Sequence, residues 1–130
     1  MRGVNSMSNE YDRNEFAERL KHRFPEALIE IRPLDDDDLI NWGVSDFARV
    51  THNAMVRGDF DIAAAHFKFI GELFDRANQD LWNDICISYL EDIFLERRGD
   101  MRTGERYLKA RALLPNNLEQ ALVDLQNYLQ

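Results

Sequence analysis

Apolar residues recur along this chain at three- and four-residue spacings in five or six stretches, and nowhere does an alternation of period two persist. Phe16, Leu20 and Phe24 share one helical face, with Asp12 and Glu15 at capping-box spacing ahead of them. A first helix is therefore predicted from about Glu15 to Phe24, stopped by Pro25. From Pro25 to Asp38 the apolar Leu28, Ile29, Ile31 and Leu34 are interrupted by Pro33 and keep neither period, which predicts an irregular arm with room for one helical turn. A second helix is expected to start near the aspartate run that follows, because carboxylates there satisfy free N–H groups and complement the helix dipole. Its core face is Ile40, Val44, Phe47, Thr51 and Ala54, and Gly58 ends it.

Asp59 is placed to cap a third helix with two apolar stripes, one of Ala63, Phe67, Ile70 and Phe74, the other of Ile62, His66, Phe69 and Leu73. The fourth, about Asp80 to Arg97, also has two rows: Trp82, Cys86, Tyr89 and Ile93, then Ile87, Leu90 and Phe94. Helices apolar on two sides need neighbours on both, so these two are predicted to form the centre. Thr103 is expected to cap a fifth helix through Leu114, Pro115 marks a break, and Asn117 with Gln120 opens a sixth along Leu118, Ala121, Leu122, Leu125 and Leu129. The expected fold is all-α: five to six antiparallel helices packed as stacked helical hairpins around two central apolar helices. One helical domain is expected over residues 13–130, behind a flexible segment 1–12 in which Met7 is an alternative start.

Composition agrees with this picture. The 6 Gly and 3 Pro are too few for the turns of a β-sandwich, and 8 Phe, 4 Tyr and 2 Trp supply a core that disordered chains lack. No apolar run approaches the ~20 residues that cross a bilayer, and the first residues lack a signal peptide's apolar centre, so a cytoplasmic protein without membrane contact is expected. The single cysteine, Cys86, fits a reducing compartment. A net charge of −8 opposes nucleic-acid binding, which depends on cations set against phosphates. The acid is concentrated: Glu26 to Asp46 holds seven acidic residues against the single base Arg32, whereas Arg97 to Arg111 holds six bases against Asp100 and Glu105.

An Arg-Gly-Asp triplet occurs at Arg57 to Asp59 and again at Arg98 to Asp100, 41 residues on. The second unit resembles a tetratricopeptide repeat: Trp82, Ile85, Cys86 and Tyr89 match the first-helix spacing, Gly99-Asp100 the turn, and Leu108 to Pro115 the end of the second helix. Gly58, Asp59, Phe60, Ala63 and Phe67 hold similar places in the first unit, although the spacing departs from the 34 residues of that repeat. This resemblance, over about residues 47–115, implies stacked helix pairs that bind protein partners. The phrase Asn83 to Glu91 also resembles a motif of an uncharacterised family of small bacterial helical proteins, a class in which some members accompany toxin genes as immunity proteins.

Catalytic anchors are missing from the sequence: there is no glycine-rich phosphate loop, no Gly-x-Ser-x-Gly elbow and no His-Glu-x-x-His pair. Cys86 lies among Ile85, Ile87, Tyr89 and Leu90, the setting of a packed thiol. His52 and His66 flank the Gly58 turn at similar distances, but the apolar stripe around His66 favours hydrogen-bonded packing over zinc. Asp35 to Asp38 fail as a calcium loop, with Ile40 where glycine is needed and Asp46 in place of the closing glutamate. No enzyme activity, metal or cofactor is therefore expected. The acidic stretch is read instead as a partner surface of Asp35, Asp36, Asp37, Asp38 and Asp46, with Trp42 as apolar anchor. These features point to a non-enzymatic acidic protein-binding domain, an immunity protein that occludes a cognate toxin with a basic domain, the alternative being a repeat-like adaptor or chaperone that holds a peptide.

Overall fold

The computed structural model describes residues 10–31, 43–95 and 104–129. Asp12 caps α1 (Arg13–Arg23), its carboxylate accepting the Glu15 backbone N–H at 2.8 Å. Pro25 ends that helix and opens another. At a first helical position its missing N–H is no loss and its fixed φ suits the turn, so α2 (Pro25–Ile31) takes the place of the first half of the expected irregular arm, with more than the single turn foreseen; the remainder, to Asp38, lies outside the described residues. It buries Ala27 and Leu28 and leaves Ile29 exposed.

α3 (Val44–Arg57) ends at Gly58, whose φ of +83° is a left-handed conformation that favours glycine. There the Gly58 and Asp59 N–H groups return to the carbonyls of Met55 and Ala54. α4 (Phe60–Phe74) follows at once. Asp59 does not cap it with its side chain; the carboxylate meets Arg57 at 2.8 Å instead. Asn78 caps α5 (Gln79–Asn83) by accepting from Leu81 N–H at 2.9 Å, and the chain continues into a π-helical stretch, Asp84–Leu95. α6 (Glu105–Arg111) and α7 (Asn116–Leu129) complete the order. Gly104, and not Thr103, precedes α6 as its cap residue, and Asn117 reaches back to the Gly71 carbonyl at 2.9 Å instead of opening α7. Among the described residues there is no strand, only an isolated bridge between Tyr11 and Ala77.

The all-α hairpin architecture follows from these burials. α3 packs most extensively on the π-helical stretch, and α4 lies against α3, α6 and α7. Phe47 stands at the middle, its ring 5.7 to 6.1 Å from those of Phe16, Phe24, Phe69 and Tyr89. Such ring pairs add attraction beyond the area they bury. Three predicted core residues lie outside this core. Ile62 is exposed in the first turn of α4, before that helix meets α1 at Phe69 and Phe16. Trp82 and Ile87 are also exposed: the inner side is set by Leu81, Ile85, Tyr89 and Ile93, a four-residue repeat on a helix that changes winding at Asp84. Trp82 lies instead over Phe74, with ring centres 5.8 Å apart.

Candidate functional site

Of the residues predicted to meet a partner, Asp35, Asp36, Asp37, Asp38 and Trp42 lie outside the described residues. Asp46 is described, and it serves the fold. Its Oδ2 accepts the Gly43 N–H at 3.1 Å, so this carboxylate closes the first turn of α3 and complements the positive end of its dipole. The helices on either side of the aspartate run are anchored in the core, α2 by Ala27 and Leu28 and α3 by Val44 and Phe47.

The described members of the basic stretch are likewise engaged within the fold. Arg106 donates to the Val56 carbonyl at the end of α3, where a cation offsets the negative dipole end. Lys109 stands 5.3 Å from the ring centre of Phe60, and Arg111 reaches Glu119 and Gln126 on α7.

Cys86 is buried, and burial pushes its thiol up to about 11, so at neutral pH it is neutral and shielded from reagents. His66 is 1% exposed and packs between Phe24 and Phe47, with ring centres at 4.8 and 4.5 Å. Its Nδ1 lies 2.9 Å from Thr51 Oγ1, which also lies 2.9 Å from the Tyr89 hydroxyl and 3.1 Å from the Phe47 carbonyl. Thr51 Oγ1 is thus the shared hydrogen-bonding partner of the imidazole, the phenol and the Phe47 carbonyl. Burial, assisted by the charge of Arg57, lowers His66 to about 4, and burial pushes the Tyr89 phenol up. Histidine, threonine and tyrosine thus form a neutral, satisfied cross-link between α3, α4 and the π-helical stretch. The sequence pointed to a hydrogen-bonded packing histidine, but not to its partner Thr51, 15 residues away, nor to Tyr89, which meets the same threonine from 38 residues further on. Among the described residues no group of three His, Cys, Asp or Glu side chains could hold a metal ion, and no helix is long and apolar enough to cross a membrane.

A second arrangement was not foreseen from sequence. Tyr11 is pinned to the α4–α5 loop, donating its N–H to Arg76 O at 2.6 Å and accepting from Asn78 N at 2.8 Å. With Phe69 and Leu73 it lines an open groove of roughly 720 Å³ between α1 and the last turns of α4. Its charged lining is mixed, with Glu18, Glu72 and His22 beside three guanidiniums. Those of Arg19 and Arg76 lie 4.4 and 4.7 Å from the Tyr11 ring centre, and that of Arg23 lies 5.5 Å from the centre of Phe69. The available signal was weak: Arg19 and Arg23 sit one turn apart on the polar side of α1, which in isolation reads as a solvated face.

Residues 17–130 match the family described as "Domain of unknown function (DUF7674)". No curated protein and no solved structure matches the chain.

Proposed function

We propose that this chain, which belongs to the DUF7674 family, is a non-enzymatic protein-binding domain that acts as an immunity protein, occluding the basic surface of a cognate toxin. The observation that carries the reading is the charge distribution: seven acidic residues against one base between Glu26 and Asp46, a stretch that begins on α2 and ends on α3, both of them anchored in the core. Four adjacent aspartates repel one another and are tolerated in water or opposite cations, and such a surface steers a basic partner toward it. Asp46 supports the edge of that segment by holding the first turn of α3. The side chains to which chemistry would most naturally be assigned, Cys86 and His66, are committed to packing, which also favours binding over catalysis.

Recovery of the partner from the native host and association kinetics test the reading. Replacing Asp36, Asp37 and Asp38 by Asn is expected to slow association and flatten its salt dependence, because exposed charges act mainly on encounter. Trp42→Ala is expected to speed dissociation. Unchanged rates in both variants, with helicity intact, would remove the acidic segment from the interface.

The groove between α1 and α4 favours a second reading, an adaptor that holds a partner's peptide, because its volume and its mixture of apolar floor and polar walls suit a ligand segment. The Gly58 corner between α3 and α4, where the tetratricopeptide resemblance placed its first turn, is compatible with that scaffold.

A further inference from the structure

We infer that the exposed side of α5 and the π-helical stretch, with Trp82 and Ile87 at its centre, is a docking surface for a partner segment that carries lysine or arginine among apolar residues. The inference rests on the protein-binding reading and not on the acidic segment between Glu26 and Asp46.

The winding of the helix sets this surface. Leu81, Ile85, Tyr89 and Ile93 are buried at every fourth position, so the line two residues further on, Asn83, Ile87 and Glu91, faces away from the core. Ile87 is 54% exposed on that line, and Trp82, 42% exposed, lies one turn before it. A single apolar residue in water is ordinary, whereas two large ones a turn apart outline a contact. Phe74 stacks on Trp82, the rings 21° from parallel and their centres 5.8 Å apart, which fixes the indole without covering it. A ring already held in place loses little freedom on binding, as an interface anchor requires. Among the described residues no cation stands over Trp82, although Arg19, Arg23 and Lys109 stand over other rings. Its open face is therefore left to a cation of the partner, for which tryptophan is the best aromatic acceptor.

Charge selects the same partner. Asp80, Asp84, Glu91 and Asp92 fall between Ala77 and Leu95 with no Lys, Arg or His among them. α7 packs along this stretch, and residues 112–130 add Glu119 and Asp124, again without a base. Part of this charge is answered from other elements: Arg13 donates twice to Asp84, at 2.6 and 3.0 Å, and Arg111 meets Glu119 at 3.3 Å. Asp80 shares the field of Arg13 with Asp84, and Glu91 forms no ion pair among the described residues. Carboxylates are thus in excess at both ends of the line from Trp82 to Ile87. That excess repels a second copy of the same face, a nucleic acid and an anionic membrane, and it attracts a basic segment.

The test uses the full chain with Asp36, Asp37 and Asp38 replaced by Asn, so that the aspartate run does not compete for the probe. This protein, labelled with ¹⁵N and with ¹³C in its isoleucine methyls, is titrated with a capped amphipathic peptide of leucine and lysine, and with the same peptide carrying glutamine for lysine. Saturable shifts of the Trp82 indole N–H and the Ile87 methyls are expected with the lysine peptide, and affinity for the glutamine peptide should be lower by about tenfold or more. Ile87→Gln, at an exposed position that leaves the core untouched, should weaken the lysine peptide by about tenfold, the loss expected of an interface anchor. Glu91→Gln should weaken it less and flatten its salt dependence. Equal binding of the two peptides, shifts that spare Trp82 and Ile87, or an affinity unchanged in Ile87→Gln would overturn the site. Concentration-dependent dimerisation abolished by Ile87→Gln would overturn it too, by giving the face to a second copy. The three aspartates are already absent from the titrated protein, so this surface and the acidic segment fail separately.

Discussion

Lowering the pH from 7.5 to 5 is expected to destabilise this protein through His66. The residue is 1% exposed between two phenylalanine rings, and its Nδ1 is already hydrogen-bonded with Thr51. A second proton would create an imidazolium in that apolar shell. Burial first, and the positive charge of Arg57 second, lower the folded-state value to about 4, whereas an unfolded histidine titrates near 6.5. Between those values the unfolded chain binds a proton and the native one does not, so stability increases with pH across the interval. The contribution is fully present above about pH 6.5 and is lost as the pH falls toward 4. At about 1.36 kcal/mol per unit, the descent to pH 5 removes about 2 kcal/mol, and the full interval about 3 kcal/mol.

Urea unfolding of the wild type and of His66→Gln, measured at half-unit steps from pH 7.5 to 5, isolates the effect. Glutamine keeps a hydrogen-bonding amide for Thr51 but does not titrate, while the other histidines and the carboxylates contribute equally to both curves. The wild type should lose about 2 kcal/mol more than the variant over this range. Parallel curves, or a His66 ring resonance titrating near 6.5 in the native protein, would refute the assignment of a buried neutral imidazole.

Thr51→Val should cost roughly 2–4 kcal/mol in urea unfolding, because Nδ1 of His66 and the Tyr89 hydroxyl both lose their hydrogen-bonding partner in the core; a loss below about 1 kcal/mol would show that the network is not formed. Gly71→Ala should be destabilising by roughly 1–3 kcal/mol despite alanine's helix preference, since the new Cβ would stand 3.0 Å from Pro115 Cγ and 3.3 Å from Asn117 Oδ1; an unchanged or raised melting temperature would mean that α4 and α7 do not approach there. Cys86 should react with a thiol reagent only when the chain unfolds, its thiol being buried and pushed up to about 11, and rapid labelling of the native protein would contradict the packing of the π-helical stretch.

The features legible in the sequence were those set by local chemistry. Asp12 caps α1 as its spacing required, Gly58 turns the chain where a left-handed residue was needed, and the stripes of α4 are buried apart from Ile62. What was misread depends on neighbours that are distant in sequence. Asp59 and Asn117 carry the chemistry of caps, yet Arg57 binds one and the α4 backbone and Asp75 the other. Trp82 and Ile87 fit a 3.6-residue row, but the inward side of their helix is chosen by the rings of Phe47 and Phe67 around Tyr89. Pro25 was read as a stop when the same fixed φ also serves as a start.

The groove shows most directly why partner surfaces are harder to read than cores. A core position is marked by its hydrophobicity whatever it touches, whereas Arg19 or Arg76 has no such mark, because an arginine in water and one over a ring are identical in sequence. Only the bridge at Ala77 brings Tyr11 within reach of Arg76, 65 residues away, and only then do Arg19 and Arg76 share one aromatic ring. The bridge joins the segment before α1 to the loop between α4 and α5, while His66, Thr51 and Tyr89 tie α4 to α3 and the π-helical stretch. The wall of the groove is therefore carried on the same α4 whose position the buried cross-link fixes. Loosening that cross-link by acid or by Thr51→Val should consequently loosen the groove wall as well as lower stability, seen as faster amide exchange at Phe69 and Leu73, even though none of its three residues lines the groove; unchanged exchange at those positions would separate the two.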